Sequence, residues 1–272
     1  MSRSVLIASG KGGVGKSTLT AALGQALARS GSPVVIVDAD LGLRSQDALL
    51  GLENQVVYDL IDAVSGDCLP DQALLSVPDL PSLRLLPAAQ FARAKNLDPK
   101  KLRLMLANLK MAHDFVLIDC PAGIEHGLRN VLNAGADESI LVVTPDDIAI
   151  RDAERVAGIM EAKKLPRPRL VVNRMHPELI ARGEMYSAQV IADLLDLRLL
   201  GEMPEDPVIL RVLLRHGSLL NYDCEARSAV LRIASRLKGS VVPFPAYGSR
   251  PLRWYRRLFP RSPKEMIPLD DH

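Results

Sequence analysis

Ten residues near the start constrain this chain more than any others: Ser9-Gly10-Lys11-Gly12-Gly13-Val14-Gly15-Lys16-Ser17-Thr18. A short apolar run, residues 5–8, precedes them, and residues 19–29 read as a helix. Strand, glycine loop and helix together meet the pattern G-x-x-x-x-G-K-S from Gly10 to Ser17. Glycines let the backbone turn tightly and bring its N–H groups to phosphate oxygens with no Cβ in the way. The helix N-terminus adds positive potential. Lys16 is expected to supply a point charge for β- and γ-phosphates, and Ser17 a hydroxyl for Mg²⁺. The nucleotide-binding set is therefore Gly10, Lys11, Gly12, Gly13, Val14, Gly15, Lys16, Ser17 and Thr18. Lys11 is a second lysine, beyond the one such a loop needs.

Other carboxylates sit where this loop would need them. Residues 34–37 form a fully apolar run, hence a buried parallel strand, ending in Asp38-Ala39-Asp40. Open α/β sheets place ligands at such carboxyl ends of strands. Residues 115–118 are apolar and end in Asp119, the Walker B form, which can hold Mg²⁺ through water together with Ser17. Further strands are expected at 83–88, 139–145, 169–174 and from 199, the last running into a loop, Pro204-Glu205-Asp206, placed over a base. Helices are expected at 46–51, 57–65, 99–112, 147–163, 208–215 and 224–237, with a turn of helix at 71–75. Leu102, Leu106 and Leu109 share one face of 99–112. Apolar strands alternating with helices give an α/β fold: a doubly wound, mainly parallel sheet with helices on both faces.

Composition excludes several classes. A net charge of +2 gives no global basic field for nucleic acid. Cys68, Cys120 and Cys224 are far apart and form no C-x-x-C, so neither a disulfide framework nor a zinc site is suggested. Cys120 reads as a small buried residue rather than a nucleophile. No signal peptide and no membrane span is expected, which points to the cytoplasm. The domain is expected over 1–238, and prolines and glycines mark 239–250 as a linker. Residues 251–272 then form a basic tail. Its helical wheel puts Leu252, Tyr255, Leu258 and Phe259 in one sector, Trp254 at the border and Arg253, Arg256, Arg257 and Arg261 opposite. Such a segment lies in a membrane interface.

Lys11–Thr18 resembles the deviant Walker A motif of the MinD/ParA family of ATPases. Asp38–Arg44 and Cys120–Glu125 resemble that family's two switch segments, and the first switch and basic tail are similar to its septum-positioning branch. The resemblance covers residues 5–259 and implies a P-loop fold, ATP and Mg²⁺. It implies that Lys11 reaches across a homodimer interface to the partner's nucleotide and that Asp40 helps place the attacking water and the magnesium shell. The catalytic set is then Lys11, Lys16 and Asp40, and the metal set Ser17, Asp40 and Asp119. Gly123 would offer an N–H to the γ-phosphate. Asn173, in Val-Asn-Arg rather than the Asn-Lys-x-Asp of a GTPase, would recognise adenine. The implied activity is ATP hydrolysis coupled to dimerisation, attachment to an anionic inner membrane surface, recruitment of a MinC-like division inhibitor and release by a MinE-like activator. Alternatives in the family are a flagellar-number regulator similar to FlhG and a ParA-type DNA-partitioning ATPase. An electron-transfer ATPase would need paired cysteines that this spacing does not offer. Residues 217–222 depart from the Gly-x-Pro-Val usual in the family.

Overall fold

A computed structural model describes residues 2–41, 43–90, 97–123, 126–215 and 217–245. In chain order the elements are β1 (Arg3–Ala8), α1 (Lys16–Arg29), β2 (Val34–Asp38), α2 (Ser45–Leu50), α3 (Leu60–Ser65), α4 (Pro70–Ala73), β3 (Leu75–Val77), β4 (Leu80–Leu86), α5 (Pro99–Ala112) and β5 (Phe115–Asp119). There follow α6 (His126–Ala134), β6 (Glu138–Val143), α7 (Asp147–Ala162), β7 (Arg169–Met175), α8 (Pro177–Arg182), α9 (Ala188–Leu194), β8 (Arg198–Pro204), α10 (Pro207–Leu214) and α11 (Glu225–Leu237).

The strands form one sheet in the order β3-β4-β2-β5-β1-β6-β7-β8, parallel except for the pairing of β3 with β4. β1 lies between β5 and β6. The chain builds outward on one side of β1 and then crosses to the other, so the carboxyl end of β1 is the topological switch point. The phosphate loop leaves the sheet there.

Alternation along each strand feeds two cores. Leu6 and Ala8 of β1 join a cluster with Leu102, Leu106 and Leu109 of α5 and with Ala153, Val156 and Met160 of α7. Val5 and Ile7 face the other way, against Leu23 and Leu27 of α1 and Val230 and Ile233 of α11. The predicted core face of 99–112 is thus buried, and the bounds of α5 and β5 agree with the sequence reading.

Several elements differ from expectation. Helix α1 begins at Lys16 rather than at residue 19, because Gly15 already closes the loop. The helix predicted from residue 57 begins at Leu60, where Asp59 caps it by accepting from the Ile61 and Asp62 N–H groups. The turn predicted over 71–75 is α4, and Leu75 instead starts β3. Strand β4 begins at Leu80, not 83. The sequence reading has no counterpart for β3, α6, α8 or α9. The start of the predicted linker is held to the domain. The Arg236 guanidinium donates to the carbonyls of Leu200, Val242 and Pro243 at 3.0, 3.0 and 2.8 Å, and stacks 3.8 Å from the Phe244 ring centroid. The tail residues Leu252, Trp254, Tyr255, Leu258 and Phe259 lie outside the described residues. Among the described residues no helix is long and apolar enough to cross a membrane.

Candidate nucleotide site

The loop is gripped from two sides. Gly15 caps α1 with φ of 90°, a left-handed conformation that favours glycine, and a Cβ there would lie 2.2 Å from Asn173 Nδ2. That same Nδ2 donates to the Val14 carbonyl at 2.7 Å, and Arg174 Nη2 donates to the Gly13 carbonyl at 2.9 Å. On the opposite side a Cβ at Gly10 would lie 2.3 Å from the Asp152 carbonyl carbon in α7. The end of β7 and the start of α7 therefore fix the loop's shape. Lys16, Ser17 and Thr18 fall in the first turn of α1, where unpaired backbone N–H groups favour an anion.

Lys16 is only 5% exposed. Its Nζ donates to Asp119 Oδ1 at 2.6 Å and to Ser17 Oγ at 3.2 Å, and lies 3.8 Å from Asp40 Oδ2. The second oxygen of Asp119 accepts from Gln46 Nε2 at 2.7 Å, and the same Nε2 donates to the Ser17 carbonyl at 3.0 Å. Asp38 organises the first switch from behind by accepting from the Asp40 and Gln46 N–H groups at 3.1 and 3.0 Å. Three carboxylates thus gather around one ammonium.

Protonation follows that imbalance. Burial disfavours the Lys16 ammonium, but Asp119 and then Asp40 outweigh it and hold its pKa above the ordinary value. Burial, then the Asp119 charge, push Asp38 up to about 7 despite its two backbone N–H donors. Burial raises Asp40 by more than Lys16 lowers it. Burial drives the Cys120 thiol up to about 12, so it is inert at neutral pH, as its sequence context suggested.

The residues fit a magnesium nucleotide. Asp119 and Asp40 share the single Lys16 ammonium, at 2.6 and 3.8 Å, and a divalent cation would add positive charge between them. No group of three or more His, Cys, Asp or Glu side chains forms a metal cage among the described residues. Mg²⁺ keeps waters and takes few protein ligands alongside phosphates. Ser17 and Asp119, with Asp40 beside them, are the groups that would hold it. Next to the loop, a cavity of about 400 Å³ runs from Gly15 and Thr18 past Asn173, Met203, Glu205 and Asp206 to Leu213 and Leu219. A larger cavity of about 540 Å³ along α7, lined by Glu154, Glu161 and Arg167 among others, shares no residue with the loop.

The expected residues are not all used as expected. The Gly123 N–H, expected to face phosphate, donates to the Ser9 carbonyl at 3.1 Å. The Asn173 donor holds the loop, although its side chain also lines the cavity. The Asp206 carboxylate caps two helices, accepting from the Val208 and Ala226 N–H groups at 2.9 and 3.1 Å. Pro204 is buried at the end of β8, and Glu205 lies 3.8 Å from Arg174. Lys11 points elsewhere, with its Nζ 3.8 Å from Asp146 Oδ1 and both side chains nearly half exposed. Sequence reading missed Gln46, Met203, Leu213 and Leu219. The divergent 217–222 segment supplies one wall of the cavity, since Leu219 is buried there.

A strand, a clamped glycine loop on a helix N-terminus, a buried lysine and a Walker B carboxylate define a P-loop nucleotide-binding protein. The family model for ParA, described as NUBPL iron-transfer P-loop NTPase, matches residues 1–237. The septum site-determining protein MinD of Synechocystis is 44% identical over 247 residues, 90% of this chain and 92% of that one. Among solved structures, MinD in the MinC:MinD cell division protein complex of Aquifex aeolicus superposes with a TM-score of 0.84 at 37% identity, covering 90% of this chain and 99% of that one. MinD of Pyrococcus horikoshii complexed with Mg-ADP gives 0.77 at 31% identity, covering 87% and 96%. The chain belongs to the MinD/ParA family of P-loop ATPases, in the branch of the septum site-determining proteins.

Proposed function

We propose that this protein is an ATP-driven membrane switch that positions the division septum. In the proposed cycle ATP closes a two-fold dimer, the dimer attaches to the inner membrane surface through residues 251–272 and recruits a division inhibitor, and an activator triggers hydrolysis and release. The observation that carries this reading is the contrast between two lysines of one loop. Lys16 is buried against Asp119 and serves its own site. Among the described residues the Lys11 ammonium has one ion pair, at 3.8 Å between half-exposed groups, worth about 0–1 kcal/mol, and so can leave it to meet a partner's phosphates. The MinC:MinD complex of the Aquifex relative supports an inhibitor of that kind, and the Mg-ADP complex of the Pyrococcus relative supports the cofactor.

Magnesium bound with the nucleotide supplies positive charge across the phosphates. The protein's share is positional. The α1 N-terminus and the loop N–H groups bind the phosphate oxygens. Lys16 trades Asp119 for phosphate. Asp40, whose carboxylate lies beside Lys16, orients water at the phosphate end. The cavity between β7, β8 and α10 takes the base.

Co-sedimentation with anionic vesicles tests the reading. The full chain should pellet with ATP and stay in solution with ADP or no nucleotide. The chain lacking residues 251–272 should bind ATP and dimerise but stay in solution. Pelleting of the truncated chain with ATP would remove the tail from the account.

A further inference from the structure

One buried polar side chain beside the loop has a role that the family reading does not assign. Gln46 is fully buried in α2, and its amide touches two residues of the metal set at once, through Asp119 Oδ2 and the Ser17 carbonyl. Both acceptors, a carboxylate oxygen and a backbone carbonyl oxygen, call for a donor. The amide orientation is therefore fixed, with Nε2 toward them. Its other end, Oε1, is buried and has no hydrogen-bond partner among the described residues. A buried amide oxygen left unpaired is costly, and this one belongs to the amide whose Nε2 holds Asp119 Oδ2 and the Ser17 carbonyl.

We propose that Gln46 is a positioning residue for the magnesium of the bound nucleotide. It fixes Asp119 by one oxygen while the other is released from Lys16, and its Oε1 accepts a hydrogen bond from a water of the magnesium shell. Two independent observations point to this role. The first is the bond to Asp119, made to Oδ2 while Lys16 holds Oδ1. The second is the orphan acceptor, which needs a donor that the described residues do not supply and that hydrated Mg²⁺ would bring. The Gln46 backbone N–H is itself held by Asp38, so the amide stands on a fixed base. This proposal rests on the magnesium-nucleotide reading above.

The test is divalent-cation affinity in the nucleotide complex, read with Mn²⁺ by electron paramagnetic resonance on the full chain with ADP. Gln46→Leu fills the same space without the amide. It should weaken Mn²⁺ by about tenfold or more, the scale seen when groups behind metal ligands are removed, and weaken ADP binding in EDTA by less. Gln46→Glu keeps an acceptor but loses the donor to Asp119, and should restore only part of the affinity. Urea melts of the nucleotide-free proteins separate a packing role. Lower stability with Mn²⁺ affinity within twofold of the wild type would overturn the proposal. Wild-type protein whose ADP binding ignored Mn²⁺ and Mg²⁺ altogether would sink the magnesium reading itself, a different result.

Discussion

The two ends of the nucleotide site are built on opposite principles. At the phosphate end the polar groups are buried and mutually bonded: Lys16, Asp119, Gln46, Asp38 and Asp40 form one network, and the loop is clamped by Asn173, Arg174 and α7. At the base end the side formed by α10 is apolar and unfinished. Helix α10, Pro-Val-Ile-Leu-Arg-Val-Leu-Leu, has no buried residue, and Leu210 and Leu214 are 61% and 73% exposed. The difference shows where specificity and adaptation lie. Phosphate is recognised by groups set before it arrives, which keeps reorganisation low. In the proposed reading the base enters a pocket whose lip gains burial from contact, so affinity there would scale with apolar area.

Substitution at the phosphate end should have the largest effect. Lys16→Ala should abolish nucleotide binding in fluorescence titrations. It also leaves Asp119 buried without its ammonium, so the nucleotide-free protein should lose about 3–5 kcal/mol in urea melts. Measurable ATP affinity in this variant would break the comparison at once. Asp40→Ala comes next. It takes away an orienting carboxylate and leaves the cradle, so ATP should still bind while activator-stimulated phosphate release falls by 10²-fold or more. Wild-type turnover would exclude Asp40 from the chemistry.

How far these roles are visible without coordinates depends on the kind of contact. The loop, Asp119 and the bounds of α5 and β5 are legible because local chemistry dictates them: glycines, a helix start after Asp98-Pro99, and an apolar run ending in a carboxylate. Gln46 is not legible, because a glutamine in a short helix is ordinary until the fold brings α2 against Asp119. The motif assigns the Gly123 N–H to phosphate, yet the Ser9 carbonyl takes it, a contact between segments more than a hundred residues apart. Strand β3 has only three residues, and its pairing with β4 rather than its own pattern makes it a strand. Helices α8 and α9 did leave signals, Pro177 in a first turn and Ser187 accepting from the Val190 N–H, and these were available to be read.

A smaller effect should come from the base end. Leu213 is half-buried on α10 and lines the cavity. Leu213→Ala should weaken ATP and ADP alike by about three- to tenfold, the value of a partly buried side chain, with no change in turnover at saturation. A loss confined to ATP would mean that α10 senses the γ-phosphate, and the division between the two ends would need redrawing.

The central claim is that the two lysines of the loop act in different subunits. Its most direct test is the mass of the complex by light scattering, for the wild type and Lys11→Ala, each with Mg·ATP and Mg·ADP. The wild type should double its mass with ATP and remain a monomer with ADP. Lys11→Ala should bind ATP with wild-type affinity and remain a monomer with both. A dimer of Lys11→Ala in ATP equal to that of the wild type would contradict the account.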